Sequence, residues 1–131
     1  MKNTTYENGF KLFKELHGAH AGEAIVEGLK DVCSDFATLT IAFGFGTILQ
    51  RKGLDIKTRE LAIIASCVTL GTAMPQLIAH IEAAFTVGAT REEIIEVILQ
   101  TAVYSGFPSV SNAFHAAKEV LNRSMTHEKN T

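Results

Sequence analysis

The chain has 131 residues and a mass of 14.2 kDa, room for one compact domain and too little for two independent cores. Hydrophobic residues make up 47% and charged residues 20%, at a mean hydropathy of +0.16, which excludes a disordered chain. Lys+Arg 12 against Asp+Glu 14 leaves a net charge of -2, with no basic excess to neutralise a phosphate backbone, so nucleic acid is not an expected partner.

The prolines are Pro75 and Pro108, and the apolar residues repeat at helical spacing between glycines. Phe10, Phe13 and Leu16 predict a first helix over 6–17, stopped near Gly18. A short second helix is expected over 22–32, and a third over 36–50, capped by Ser34 or Asp35. Gly44 and Gly46 lie inside the third segment, where each costs about 1 kcal/mol relative to alanine, so they imply close approach of another backbone or a ligand. Asp55 suits the N-cap of a fourth helix over 56–70, closed by Gly71. Pro75 suits the first turn of a fifth, which ends at Val87 with Gly88 as its cap. Thr90 and Glu93 form a capping box that opens a sixth helix reaching Gly106. Pro108 opens a seventh that reaches about Asn122, followed by a polar tail, 123–131, expected to fray. The expectation is a single all-α domain over 1–131, a bundle of six to seven helices with its core at about 9–121.

Much of the fourth to sixth helices is apolar, and the sixth is apolar on more than one face. A domain this small has much surface for its volume, so at least one face is expected to meet another subunit. Cys33 and Cys67 form no Cys-x-x-Cys and, with the histidines, no zinc spacing. The first eight residues carry no apolar signal core, and the longest apolar stretches, 41–49 and 61–68, are too short to span a bilayer. Reduced cysteines, a cytoplasmic location and no membrane partner are expected.

His80 sits at the edge of an apolar face beside Leu77 and Ala84. A histidine satisfied by one hydrogen bond is the commoner occupant of such a place. A general acid/base is the alternative, since histidine titrates nearest neutrality. Glu60 is read as lying in the first turn of the fourth helix, where the helix dipole favours a carboxylate. Cys67, two turns along that face, lines any pocket Glu60 enters, or is simply a small core residue. His17 and His20 are separated by Gly18, which argues against a metal pair. Gln100 and Tyr104 place an amide and a hydroxyl on an otherwise apolar face, where buried polar groups need partners.

The runs Gly53-Leu-Asp-Ile-Lys-Thr-Arg-Glu-Leu, Leu70-Gly71, Gln76-Leu-Ile-Ala-His80, Gly88-Ala-Thr-Arg-Glu-Glu-Ile, Glu96-Val-Ile-Leu-Gln100 and Ala102-Val-Tyr104-Ser-Gly106-Phe-Pro108 resemble the carboxymuconolactone decarboxylase family. The resemblance covers about 9–121, and Gly18-Ala19-His20 looks like a further family element. It implies an alkylhydroperoxidase D-like helical subunit in a homo-oligomer, commonly a hexamer built as a trimer of dimers, with sites near subunit interfaces. One branch decarboxylates without a cofactor; the alkylhydroperoxidase D branch reduces peroxide through a Cys-x-x-Cys pair helped by a glutamate and a histidine. Glu60 and His80 fall where that branch has its glutamate and histidine, but its cysteine positions fall on Ala73 and Gln76.

The decarboxylase pattern is also incomplete. No arginine follows Ala19-His20, Phe45-Gly46-Thr47 stands where Trp-Gly-Glu is often found, and Gln100 replaces a common histidine. The resemblance therefore implies a lyase without metal or organic cofactor, acting on a carboxylated lactone or related unsaturated acid, a small-molecule carboxylate. His80 and Glu60 would be catalytic, and His20, Cys67, Gln100 and Tyr104 would contact substrate. The alternatives are an alkylhydroperoxidase-like antioxidant and a non-catalytic oligomer that binds a small acid.

Overall fold

The computed structural model describes residues 3–129, with side chains described for 3–123. Among the described residues every regular element is helical, no strand occurs, and no helix is long and apolar enough to cross a membrane. The chain divides into two compact units, Met1–Asp55 and Ile56–Thr131.

The first unit holds α1 (Thr4–His17), α2 (Ala19–Gly28), α3 (Lys30–Leu39) and a π-helix (Thr40–Ile48). Asn3 caps α1, its Oδ1 accepting from Tyr6 N at 3.0 Å, and the helix stops at Gly18 as the sequence predicts. The expected second helix, 22–32, is shifted: Gly18, at φ 90°, turns the chain so that α2 restarts at once with Ala19. The expected third helix, 36–50, is also revised. Cys33, at φ -159° and ψ 91°, interrupts α3 just before the anticipated caps Ser34 and Asp35. Beyond Leu39 the helix widens into nine residues of π geometry, a form that seldom exceeds one turn.

The widening accompanies the close packing of α1. A Cβ built on Gly9 would collide with the carbonyl of Ile41 and lie 2.7 Å from Gly46 N, and one built on Gly46 would strike the carbonyl of Thr5. The expected role of Gly46 as a point of backbone approach is therefore met, with α1 as the partner. Gly44 has open space around it instead. Phe13 and Phe45, ring centroids 4.7 Å apart and nearly edge to face, seal this contact with Leu16 and Ile41.

The second unit holds α4 (Ile56–Leu70), α5 (Met74–Thr86), α6 (Arg91–Gln100), α7 (Ala102–Ser105) and α8 (Phe107–Lys129). Its core is one apolar cluster that includes Ile64, Val68, Leu77, Ile81, Ile94, Ile98, Ala113 and Ala117. The expected limits of α4 are reproduced. Gly88, at φ 96°, lets the chain leave α5 while Ala89 N bonds back to Ala84 O at 2.9 Å. The capping box is formed in both directions, Glu93 N on Thr90 Oγ1 at 3.1 Å and Thr90 N on Glu93 Oε1 at 3.0 Å.

Two expectations for this unit change. The sixth helix does not run unbroken to Gly106, because Thr101 turns both its backbone N–H and its hydroxyl onto Ile98 O, which tightens the turn and separates α6 from α7. The last helix does not stop near Asn122, and its backbone continues to Lys129. In the tail expected to fray, 123–131, the side chains beyond Arg123 and all of residues 130–131 lie outside the described residues.

Candidate functional site

Glu60, Ile64, Cys67 and Val68 recur at helical spacing on α4 and form its inward stripe. Glu60 is thus a carboxylate in an apolar row, 0% exposed. It stands one turn inside α4 rather than in its first turn, so burial and not the helix dipole defines its setting. The start of α4 is anchored one turn earlier, where Lys57 Nζ meets Glu93 Oε2 at 2.8 Å. Lys57, followed by the Thr90 amide, holds Glu93 below the usual carboxylate range.

Burying a carboxylate is costly unless it is paired and hydrogen-bonded. The partner of Glu60 is His80, whose Nδ1 lies 2.7 Å from Oε2. Measured along two straight helices, Glu60 is about 15 Å and His80 about 8 Å from the connecting loop, a mismatch that argues against a direct contact. The contact is direct. Relative to the facing ends of α4 and α5, the two positions are offset by four residues, about 6 Å, a gap that a glutamate and a histidine side chain span together. The two carboxylate oxygens differ, for Glu60 Oε1 is fully buried and has no hydrogen-bond partner among the described residues.

A carboxylate oxygen accepts, so in the pair with an ionised Glu60 the donor is the Nδ1–H of His80. That bond fixes the ring plane, the arrangement by which a carboxylate orients an imidazole. His80 is largely inside, its side chain 16% exposed, so the pair is shielded while remaining within reach of solvent.

Cys67 lies on the same stripe and its thiol is pushed up, chiefly by burial and further by the charge of Glu60. A thiol held protonated is a poor nucleophile. Ala73 and Gln76 carry no sulfur at the start of α5. Peroxide turnover with a dithiol recycling system is accordingly expected to stay at the uncatalysed rate and to be unaffected by Cys67→Ser. Robust turnover lost in that variant would contradict this.

The remaining expected contacts are placed differently. Gln100 ends α6 and is exposed. Tyr104, on α7, is 99% exposed. Neither side chain hydrogen-bonds to the pair. His20 is an exposed residue of α2 in the first unit. The fold therefore brings Glu60 and His80 together, with Cys67 along their stripe. Among the described residues, no group of three or more His, Cys, Asp or Glu is arranged to hold a metal ion. Sequence reasoning missed the hydrogen bond from α4 to α7, in which the Thr69 and Ser105 hydroxyls meet at 2.7 Å. It also missed the orphaned Oε1, which leaves no sequence signal.

Comparison with known proteins adds a family and named relatives. The profile of the carboxymuconolactone decarboxylase family matches residues 34–119, a span that contains Glu60, Cys67 and His80. The 4-carboxymuconolactone decarboxylase of Acinetobacter baylyi is 34% identical over 116 residues, 88% of this chain and 86% of its own length. The nitrosuccinic acid decarboxylase of Metarhizium robertsii is 30% identical over 122 residues, 89% of this chain and 81% of its own. An uncharacterized 15.0 kDa protein of Paracoccus denitrificans is 39% identical over 77 residues, 58% of each chain.

Proposed function

Since the chain belongs to the carboxymuconolactone decarboxylase family, we propose that it is a carboxy-lyase that works by acid/base chemistry on a small activated carboxylate. The observation that carries this reading is the 2.7 Å bond between His80 Nδ1 and the buried carboxylate of Glu60. The names of two relatives support it, since carboxymuconolactone and nitrosuccinic acid both carry a carboxylate near an acyl or nitro group that can take up an electron pair.

In the proposed reaction the C–C bond to the carboxylate breaks and its electron pair moves into the adjacent acyl or nitro group. Carbon dioxide leaves, and an enolate-like or nitronate-like anion remains. His80, protonated, gives a ring proton to a carbon of that anion, and is reprotonated from solvent. Glu60 keeps the ring aligned and stabilises the imidazolium through Oε2. The chemistry closes with one proton consumed per carbon dioxide released and calls on no cofactor. A carboxylated lactone or related unsaturated acid is the proposed substrate class. No arginine follows His20 to clamp a second substrate carboxylate through two parallel hydrogen bonds.

The working molecule in this reading is a cytoplasmic homo-oligomer, a hexamer. Support comes from the exposed side chains of Val32, Phe36, Leu39 and Phe43 in the first unit and of Val103 and Phe107 in the second. Incubation with 4-carboxymuconolactone and with nitrosuccinate in D2O tests the chemistry. Carbon dioxide release above background, with one deuterium delivered to a carbon of the resulting anion, is the expected result. Release without enzyme-dependent labelling, or no release from either acid, would count against it.

A further inference from the structure

On α5, Gln76, His80 and Ala83 follow one another at four- and three-residue steps and so form one row along the helix. Exposure falls steeply along this row: Gln76 is exposed, His80 retains 16% of its side chain, and Ala83 is at 0%. Glu60 meets His80 from the side of α4. Gln76 stands four residues from His80 on the same face, on its solvent-exposed side, where Cβ atoms are about 5–6 Å apart. Its amide makes no hydrogen bond among the described residues. Within the row it is the one side chain besides His80 that carries N–H donors.

We infer that Gln76 is a substrate-binding residue, whose amide N–H grips the anionic group that stays on the substrate after carbon dioxide has left. This rests on the decarboxylase reading. The retained group is the fitting ligand for a physical reason. A donor placed on the departing carboxylate would stabilise the ground state and slow its loss, whereas a grip on a group that does not react contributes binding equally before and during the reaction. A neutral amide also adds no charge beside the Glu60–His80 pair. Such a contact acts on KM and leaves kcat alone.

The experiment compares the wild type with Gln76→Leu, a change at an exposed position that keeps side-chain size, and with Gln76→Glu, which places a like charge at that position. With nitrosuccinate as substrate, Gln76→Leu is expected to raise KM about tenfold, the scale of one hydrogen bond to a charged group, with kcat altered by no more than about twofold. Gln76→Glu is expected to raise KM further. Unchanged KM in both variants, or a fall in kcat at constant KM, would overturn the inference.

A binding readout separates this from the decarboxylase reading. Succinate, titrated while the His80 imidazole is followed by NMR, is expected to shift that resonance in the wild type, with an apparent Kd about tenfold weaker in Gln76→Leu. Succinamide, which lacks the carboxylates, should show no such difference between the two proteins. No succinate response in the wild type, or equal affinity in the variant, would sink the role of Gln76. No turnover of any acid, with the succinate difference intact, would sink the decarboxylase reading and leave Gln76 as an anion contact.

Discussion

Replacing His80 by glutamine is expected to lower enzyme-dependent carbon dioxide release by about 10²–10⁴-fold, the range over which a positioned general acid contributes. Glutamine keeps an N–H that can donate to Glu60 Oε2, so the buried carboxylate stays paired and the fold should hold. It cannot carry a proton to carbon. Glu60→Gln should also lower the rate, because the amide keeps the shape of the side chain but removes the charge that stabilises the imidazolium. The two residues act as a unit, joined at 2.7 Å, so the double variant should be little worse than His80→Gln alone. Initial rates of gas release, with folding checked by circular dichroism, decide the matter. A His80→Gln rate indistinguishable from wild type would remove His80 from the chemistry.

The largest stability effect is expected at Gly46. A methyl group there would meet the backbone carbonyl of Thr5, and backbone cannot rotate aside as a flexible side chain can. Gly46→Ala should therefore destabilise the first unit by about 2–3 kcal/mol, at the upper end of ordinary overpacking. Gly44→Ala, two residues away with nothing within 4 Å of the added methyl, should be neutral or stabilising by up to about 1 kcal/mol, since alanine is the better helix former. Thermal and urea unfolding of the two variants in parallel gives the comparison. Equal losses would show that the α1 contact is not what makes Gly46 irreplaceable.

The second unit was the more legible in sequence because its signals are local. The limits of α4 follow from Asp55 and Gly71, and the Thr90–Glu93 capping box needs only a four-residue window. The first unit depends on contacts that a window does not contain. The π-helix at Thr40–Ile48 carries residues that suit an α-helix equally well, and its close contact with α1 is made through Gly9, more than thirty positions upstream. The break at Cys33 carries no glycine or proline to announce it.

The candidate site was legible in a similar, partial way. Spacing along α4 marks Glu60 as inward-facing, for it stands on the same stripe as Ile64 and Cys67. Its pairing with His80 emerged from a resemblance, and a measure of distance along two helices undervalued what two long side chains can bridge. Gln100 and Tyr104 were read as buried polar groups because their neighbours are apolar, yet in a single chain that apolar face is on the outside. Val103 and Phe107 are exposed together with Tyr104.

Glu60 and His80 are twenty positions apart, on two helices joined by residues 71–73. The entropy lost in closing so short a loop is small, and helical hairpins built from contacts near in sequence are among the fastest structures to assemble. Helix formation and short-loop closure each take about a microsecond or less, so the acid/base pair can form as soon as α4 and α5 meet, before slower long-range docking is complete. The Glu60–His80 contact is in that sense suited to form early in folding.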